Sequence, residues 1–364
     1  MKILAYPRDV NPYQELLYGP LRGRVGVEYL DISIAGPFRA ATYVPRLIVR
    51  MVRKRLQGYR VLHIHWLYML AVPAFVPGAK RIAYVQTRIF LRAAWLLGYK
   101  MVWTAHNVLP HAPITANDLA IRKLLASLSS GVIVPSSSTI AELASHGIDT
   151  GRCEVVPHGS YIGVYQNTVS QRQARQTLGI PADARVIGSF GTVHDYKNIP
   201  ELVQAFVRLA ARHSNLYLVL AGKCSDPGVR QAVGSVKTAL AKRILMYDEY
   251  IPDSDVQRYL NAMDIAVFPF SRITTSGSIL LACSFGKPVV APRIGALQDM
   301  PDTIGVLYEP AADVPLDVLI GGLLEDPAAL KRAGEASYRY AAGLSWDTIA
   351  EQTEHVYAKA LHVG

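Results

Sequence analysis

Pro269-Phe270-Ser271-Arg272-Ile273-Thr274-Thr275-Ser276-Gly277-Ser278-Ile279-Leu280-Leu281-Ala282-Cys283-Ser284-Phe285-Gly286-Lys287-Pro288-Val289-Val290 is the stretch from which the fold follows. It reads as a strand end, a Thr/Ser/Gly loop, an apolar helix, a glycine stop and a second buried strand. A polar loop that opens a helix beside a strand end leaves backbone N–H groups free and presents a positive dipole end. Such an end binds phosphate or another anion. The expected ligand is a phosphorylated small molecule.

Outward from this segment, short β-rich runs alternate with helical patterns. In the second half, strands are predicted at 185–190, 216–221, 244–247, 265–268 and 288–291, and helices at 199–213, 229–240, 253–262 and 279–285. The first half repeats the style, with strands at 3–6, 27–30, 61–64, 101–104 and 131–135 and helices at 16–21, 41–56, 82–97, 119–127 and 138–146. Alternation of this kind implies parallel sheets covered by helices on both faces. Two series imply two doubly wound α/β domains that bind ligands at the carboxyl ends of their strands. We expect domains at 1–165 and 166–345, with residues 346–364 forming a final helix that packs back on the first domain.

A second candidate loop is Gly188-Ser189-Phe190-Gly191-Thr192-Val193-His194-Asp195-Tyr196-Lys197-Asn198. A strand delivers the chain to Gly191, and Lys197 follows beside a helix start. Glycine allows close backbone approach, and the ammonium is a point charge for phosphate. Taken alone, an ordinary βα loop with a solvated lysine explains it equally. Two such loops at strand ends of one sheet favour joint phosphate binding.

Trp103-Thr104-Ala105-His106-Asn107-Val108-Leu109-Pro110-His111 places a His-Asn pair directly after a core strand. His106 is a candidate hydrogen-bond donor or general acid/base. In His63-Ile64-His65-Trp66, one histidine is expected towards the core and the other at the rim. The spacing is poor for zinc, no cysteine joins it, and no metal is expected.

Charge is uneven. The chain of 364 residues carries a net charge of +10, and no acidic residue lies between Asp31 and Asp118, against 12 Lys/Arg. Such asymmetry predicts that the first half meets an anionic surface. Arg46, Arg50, Arg53 and Lys54 form a basic stripe on one predicted helix, and Arg88 and Arg92 lie on the next. They are candidates for an anionic membrane face, with a solvated helix face as the alternative. Nucleic acid is not expected, because no helix-turn-helix, zinc or RNP signature is present. Cys153, Cys224 and Cys283 stand too far apart to suggest a disulfide framework and fit a reducing compartment. The start Met1-Lys2-Ile3-Leu4-Ala5-Tyr6 is too short for a signal-peptide core and reads as a first strand. The run from Trp66 to Ala79 carries two prolines and falls short of a bilayer span. A cytoplasmic protein, peripheral on the inner membrane face, is expected.

At the level of motifs, the second half resembles the group 1 (GT4-like) glycosyltransferases of the GT-B superfamily. From Pro269 to Pro288 the chain follows their signature P-S-x-x-E-G-F-G-x-x-x-x-E-A-x-A-x-G-x-P-V without a gap, with Ala282, Gly286, Pro288 and Val289 in register. Residues 191–197 resemble the G-R-L-x-x-x-K-G segment, and 155–159 the strand end before the second domain. Ile273 and Leu281 stand where the signature has glutamates, and Thr192 where the family has a phosphate arginine. The variant loop, with Asn11-Pro12-Tyr13 and the His-Asn-Val-Leu-Pro-His run, is similar to a bacterial exopolysaccharide or glycolipid branch.

The resemblance implies two Rossmann-like domains facing a cleft and a metal-independent hexosyltransferase with no cofactor. Its donor would be a UDP- or GDP-linked sugar, and its acceptor a lipid-linked or free saccharide. The diphosphate would be held by Gly191, Thr192, Lys197, Thr275, Ser276, Gly277 and Ser278, and the nucleotide by Gly222, Lys223, Tyr250, Ile251 and Pro252. His106 would meet the donor sugar. Asp9, Glu15, Asn107 and Asp118 are candidates for acceptor contact or base, and a retaining or an inverting course is equally open. Two rivals are a sugar-nucleotide epimerase or hydrolase on the same scaffold, and an inactive sugar- or lipid-binding partner subunit.

Overall fold

The computed structural model describes residues 1–9, 12–31, 39–110, 112–236 and 238–362, without the side chains of 39–41, 238 and 239. The chain divides into two compact units, Met1–His158 with Trp346–Gly364, and Gly159–Ser345. The division falls ahead of the expected 165.

The first unit contains β1 (Lys2–Tyr6), β2 (Gly26–Tyr29), β3 (Val61–Ile64), β4 (Lys100–Thr104), β5 (Ser129–Val134) and β6 (Cys153–Val155). They form one sheet in the order β2-β1-β3-β4-β5-β6, with every neighbouring pair parallel. Alternate residues of β1 serve opposite faces. Leu4 and Tyr6 join a core with Leu47, Met51, Phe90 and Trp103, whereas Ile3 and Ala5 join one with Ile349, Val356 and Tyr357. The final helix, Trp346–His362, therefore supplies the cover of one face. Gly131 on β5 makes room for it, since a Cβ there would lie 2.9 Å from Val356 Cγ1.

The second unit contains β7 (Arg185–Phe190), β8 (Leu216–Ala221), β9 (Ile244–Tyr247), β10 (Ile265–Val267), β11 (Val289–Pro292) and β12 (Gly305–Tyr308). Their order is β12-β11-β10-β7-β8-β9, again parallel throughout. Strand order reverses between β7 and β10, and ligands of open α/β sheets bind at the carboxyl ends beside such a reversal. The loops leaving β7 and β10 are the two read as anion-binding. In the first unit the reversal lies between β1 and β3, and the chain leaving β3 carries His65.

The structure corrects several expected elements. The first helix is Tyr13–Tyr18 rather than 16–21, because Tyr13, Gln14, Leu17 and Tyr18 form its buried face. The helix expected at 229–240 divides into Pro227–Gly234 and Thr238–Ala241. Strand β12 and the helices Gln171–Thr177, Leu316–Glu325 and Pro327–Ala342 are additional, and the strand end read at 155–159 begins on the last residue of β6.

Candidate active site

At the end of β7 the chain turns at Gly191, with φ +98 and its N–H donated to Ala221 O at 2.8 Å. Beyond β8, Gly222 (φ +138) packs so closely that a Cβ on it would lie 2.5 Å from Gly191 O. Val193 N–H to Lys223 O (2.9 Å) and Ser225 N–H to Val193 O (3.0 Å) zip the two loops together. A one-turn 3₁₀ segment, Asp195–Lys197, then brings Lys197 beneath Gly191.

Lys197 is 4% exposed. Its ammonium donates to Phe190 O at 3.3 Å and Ser278 Oγ at 3.4 Å. Both bonds are long, and among the described residues no carboxylate lies within ion-pair distance of it. Burial pushes its pKa down to about 8. A buried cation without a counter-charge is costly and is relieved by an arriving anion.

The helix Gly277–Ser284 completes the pocket. Ser276 caps it, its Oγ accepting from Ile279 N–H at 3.3 Å, and Ile279 to Ser284 are all buried. Gly277 opens the helix against Tyr161, whose hydroxyl lies 3.0 Å from where a Cβ would sit. A Cβ on Gly191 would meet Ser278 Oγ at 2.8 Å and Lys197 Nζ at 3.2 Å. Gly191, Lys197 and Ser278 thus meet in close contact at a helix N-terminus, with Gly277 and Ser276 beside them. Thr275 is half-buried on the same loop, and Thr192 is exposed. Leu281 is buried in the helix, and Ile273 packs half-buried against the Phe268 and Phe270 core.

Among the proposed nucleotide contacts, Lys223 and Pro252 are exposed, Tyr250 is 76% exposed and Ile251 is buried. Asp248, absent from the sequence expectations, fixes this rim. Its Oδ1 accepts from Cys224 N–H at 2.7 Å, and its other oxygen pairs with Arg230. These contacts hold its carboxyl below the usual range. Tyr161 was also missed. It stands just ahead of the expected boundary at 165, far in sequence from Gly277, and only the fold brings the two together.

In the first unit, His106 follows β4, its N–H bonded to Thr104 O at 3.0 Å. Its ring stacks on Trp66, with centroids 4.4 Å apart and planes 13° apart, and Tyr13 meets it edge-on at 4.8 Å. A cavity of about 300 Å³ is lined by His65, Trp66, Tyr68, His106, Asn107 and Arg122 among others. Burial, His158, His63 and Arg122 push the His106 pKa well below the usual value, so the ring is neutral at physiological pH. His63 and His65 do not part company as expected. Residues i and i+2 share a face, and both rings are buried with centroids 4.0 Å apart.

The carboxylate candidates separate. Asp118 is spent on structure, its oxygens accepting from Ile114 N–H, Thr115 N–H and Thr115 Oγ1–H. Glu15 is exposed on its helix. Asp9 accepts from the hydroxyl of Tyr68, a residue of the cavity wall. Asn11 and His111 lie outside the described residues. Among the described residues, no group of three or more His, Cys, Asp or Glu is placed to hold a metal.

The basic stripe is only partly free. Arg50 donates to Asp31 O and Tyr29 O, Lys54 pairs with Glu28, and Arg88 donates to Tyr84 OH. Arg46, Arg53 and Arg92 are exposed. Val49, Val52 and Leu56 are exposed beside them on Arg39–Leu56, while Leu47 and Met51 are buried. Val85, Ile89, Trp95 and Leu96 are exposed on Ala79–Leu96. None of the described helices is long and apolar enough to cross a membrane.

Comparison with known proteins decides the family. Residues 184–325 match the family "Glycosyl transferases group 1" and residues 3–160 match "Glycosyltransferase Family 4", so that the two take in most of the chain. The chain belongs to the group 1 glycosyltransferases. It is a hexosyltransferase with the α/β GT-B fold. It is 26% identical over 362 residues to the GDP-mannose:glycolipid 4-beta-D-mannosyltransferase of Xanthomonas campestris pv. campestris, covering 97% of this chain and 89% of that one. A D-inositol 3-phosphate glycosyltransferase of Corynebacterium efficiens is 27% identical over 62% of this chain and 56% of its own length. Two solved structures share the fold. Anabaena HepE in complex with UDP and glucose has a TM-score of 0.74 at 18% identity and covers 98% of this chain and 99% of its own. Sucrose-phosphate synthase from Thermosynechococcus elongatus has a TM-score of 0.75 at 20% identity and covers 100% and 99%.

Proposed function

We propose that this glycosyltransferase moves mannose from GDP-mannose to a glycolipid acceptor. The observation that carries the donor class is the buried, carboxylate-free ammonium of Lys197 beside the N-terminus of Gly277–Ser284. A nucleoside diphosphate leaving group develops negative charge as its bond to the sugar breaks. Lys197, with the backbone N–H groups after Gly191 and from Thr275 to Ser278, is pre-oriented to stabilise that charge without a metal. This help serves a retaining and an inverting course alike. Guanine and mannose are supported by similarity to the Xanthomonas enzyme along nearly its whole length. Loop positions 222–223 and 250–252 are assigned to the nucleoside. Neutral His106 is assigned to a hydroxyl of the donor sugar as a hydrogen-bond donor.

A thermal-shift series with GDP, UDP and ADP tests the donor. A ligand at about 100 times its Kd stabilises by about 2.7 kcal/mol, so the true nucleotide raises Tm by several degrees. GDP is expected to stand alone, and a larger shift with UDP overturns the guanine assignment. Labelled GDP-mannose should then pass its sugar to an acceptor-containing lipid extract. Breakdown at an equal rate without lipid would instead indicate a hydrolase or epimerase.

The lipid acceptor and the inner membrane face are supported by the mixed apolar and basic surface of Arg39–Leu56 and Ala79–Leu96. Exposed Val49, Val52, Leu56, Trp95 and Leu96 are positioned to enter the headgroup layer, and Arg46, Arg53 and Arg92 to meet anionic lipid. In co-sedimentation, retention on vesicles containing about a quarter phosphatidylglycerol is expected to exceed that on phosphatidylcholine alone and to fall with salt. Equal retention on both would remove the charge component.

A further inference from the structure

Beneath His106 lies a chain of buried polar rings that the assignments above do not use. His65 Nδ1 lies 3.3 Å from His106 Nε2, and His65 Nε2 lies 2.7 Å from the Tyr18 hydroxyl. The Tyr18 hydroxyl is also 2.9 Å from His63 Nδ1, which the Tyr357 hydroxyl approaches to 2.6 Å. His63 Nε2 ends the chain on Thr104 Oγ1 at 2.7 Å. Both tyrosines, His63 and His65 are buried, and Tyr357 arrives from the final helix.

A neutral imidazole carries one N–H, so its two nitrogens must play opposite parts. Burial pushes the His63 pKa down to about 3 and that of His65 well below its usual value, which keeps both neutral. The short contacts of 2.6 and 2.7 Å from tyrosine hydroxyls fit O–H donation to an imidazole nitrogen. If Tyr357 donates to His63 Nδ1, the other nitrogen of His63 donates to Thr104. Tyr18 has three partners, His63, His65 and the Tyr357 hydroxyl, and its shortest nitrogen contact is His65 Nε2 at 2.7 Å, the one that fits O–H donation. That forces the proton of His65 onto Nδ1, where it is given to His106 Nε2. His106 Nε2 is thereby an acceptor, and its own proton sits on Nδ1.

We propose that Tyr18 and His65 are positioning residues that fix His106 as the Nδ1–H tautomer, so that it presents a hydrogen-bond donor from Nδ1. Trp66, stacked on the ring, holds its plane, and the tyrosine–histidine chain sets its proton. The catalytic consequence rests on the proposed contact between His106 and the donor sugar. A donor fixed in advance needs no reorganisation when the substrate arrives.

The test is a long-range ¹H–¹⁵N spectrum of histidine-labelled full-length protein, with the His106 signals identified by their loss in His106→Gln. The wild type is expected to show one tautomer, protonated at Nδ1. Tyr18→Phe keeps the ring packing but removes the O–H donor, and a mixture of Nδ1–H and Nε2–H forms is expected. His65→Gln can still donate an N–H and should keep more of the Nδ1–H form than His65→Phe. A wild-type ring protonated at Nε2, or an unchanged single tautomer in Tyr18→Phe, overturns the inference. Turnover with GDP-mannose is expected to fall about tenfold in Tyr18→Phe. A tautomer that shifts while turnover does not supports the positioning chain and removes instead the contact between His106 and the sugar.

Discussion

Lys197→Met is expected to lower kcat/KM for the donor by about 10²- to 10³-fold, the usual cost of removing one preorganised group that stabilises a developing anion. The fold should not suffer. An ammonium whose pKa is depressed from 10.5 to about 8 destabilises the native state at neutral pH, by an amount of order 3 kcal/mol. Because the folded state binds its proton less tightly, the penalty is complete below pH 8 and is relieved as pH rises from 8 towards the unfolded value. Methionine of similar length removes the charge, so the ligand-free variant should melt no lower than the wild type. Only the wild type should then gain strongly in Tm when GDP is added. The same titration gives a pH profile. Donor affinity in the wild type should be level below about pH 8 and fall as much as tenfold per unit above it, as the ammonium is lost. Lys197→Met should lack that break. Retained turnover in a folded Lys197→Met protein would remove the diphosphate site.

Legibility in the sequence followed burial. Strands β3, β7, β8 and β9 lie at their predicted positions because short apolar runs bounded by turns mark them. β12 carries no such mark, and of β6 only the end is legible. Both are edge strands with half-exposed residues, and they lack the continuous apolar run that another edge strand, β9, carries in Ile244–Tyr247. Two missed helices did carry signals. Ser170 with Gln173 forms a capping box, and Asp326 before Pro327 marks an N-terminus. The basic stripe was legible as composition but not as free charge, because the partners Glu28 and Tyr84 sit on other turns and elements. The histidines show the same limit. Spacing places His63 and His65 on one face, but no local pattern could show that Tyr357, 294 residues away, meets His63. The burial of Lys197 was likewise illegible, since it depends on the approach of Ser278 from another loop.

That approach yields the second large effect. Gly191→Ala is expected to weaken donor binding by about 10- to 100-fold. The backbone there has φ +98, which a residue with a Cβ adopts at a cost of order 1–3 kcal/mol. The new methyl would lie 2.8 Å from Ser278 Oγ and 3.2 Å from Lys197 Nζ, so both groups must move from the space proposed for the phosphates. Backbone strain and loss of the cradle are separable by a control. Gly179 has φ +69, and nothing lies within 4 Å of the position its Cβ would take. Gly179→Ala should therefore lose comparable stability through strain alone while its GDP affinity, read by calorimetry, stays at the wild-type value. The pair discriminates because each variant adds the same methyl at a positive φ, and only one adds it against Lys197 and Ser278. Equal GDP affinity in the two variants would mean that the diphosphate does not lie against Gly191. A selective loss in Gly191→Ala fits a site in which the phosphate meets Lys197 and Ser278 where they lie against the bare backbone of residue 191.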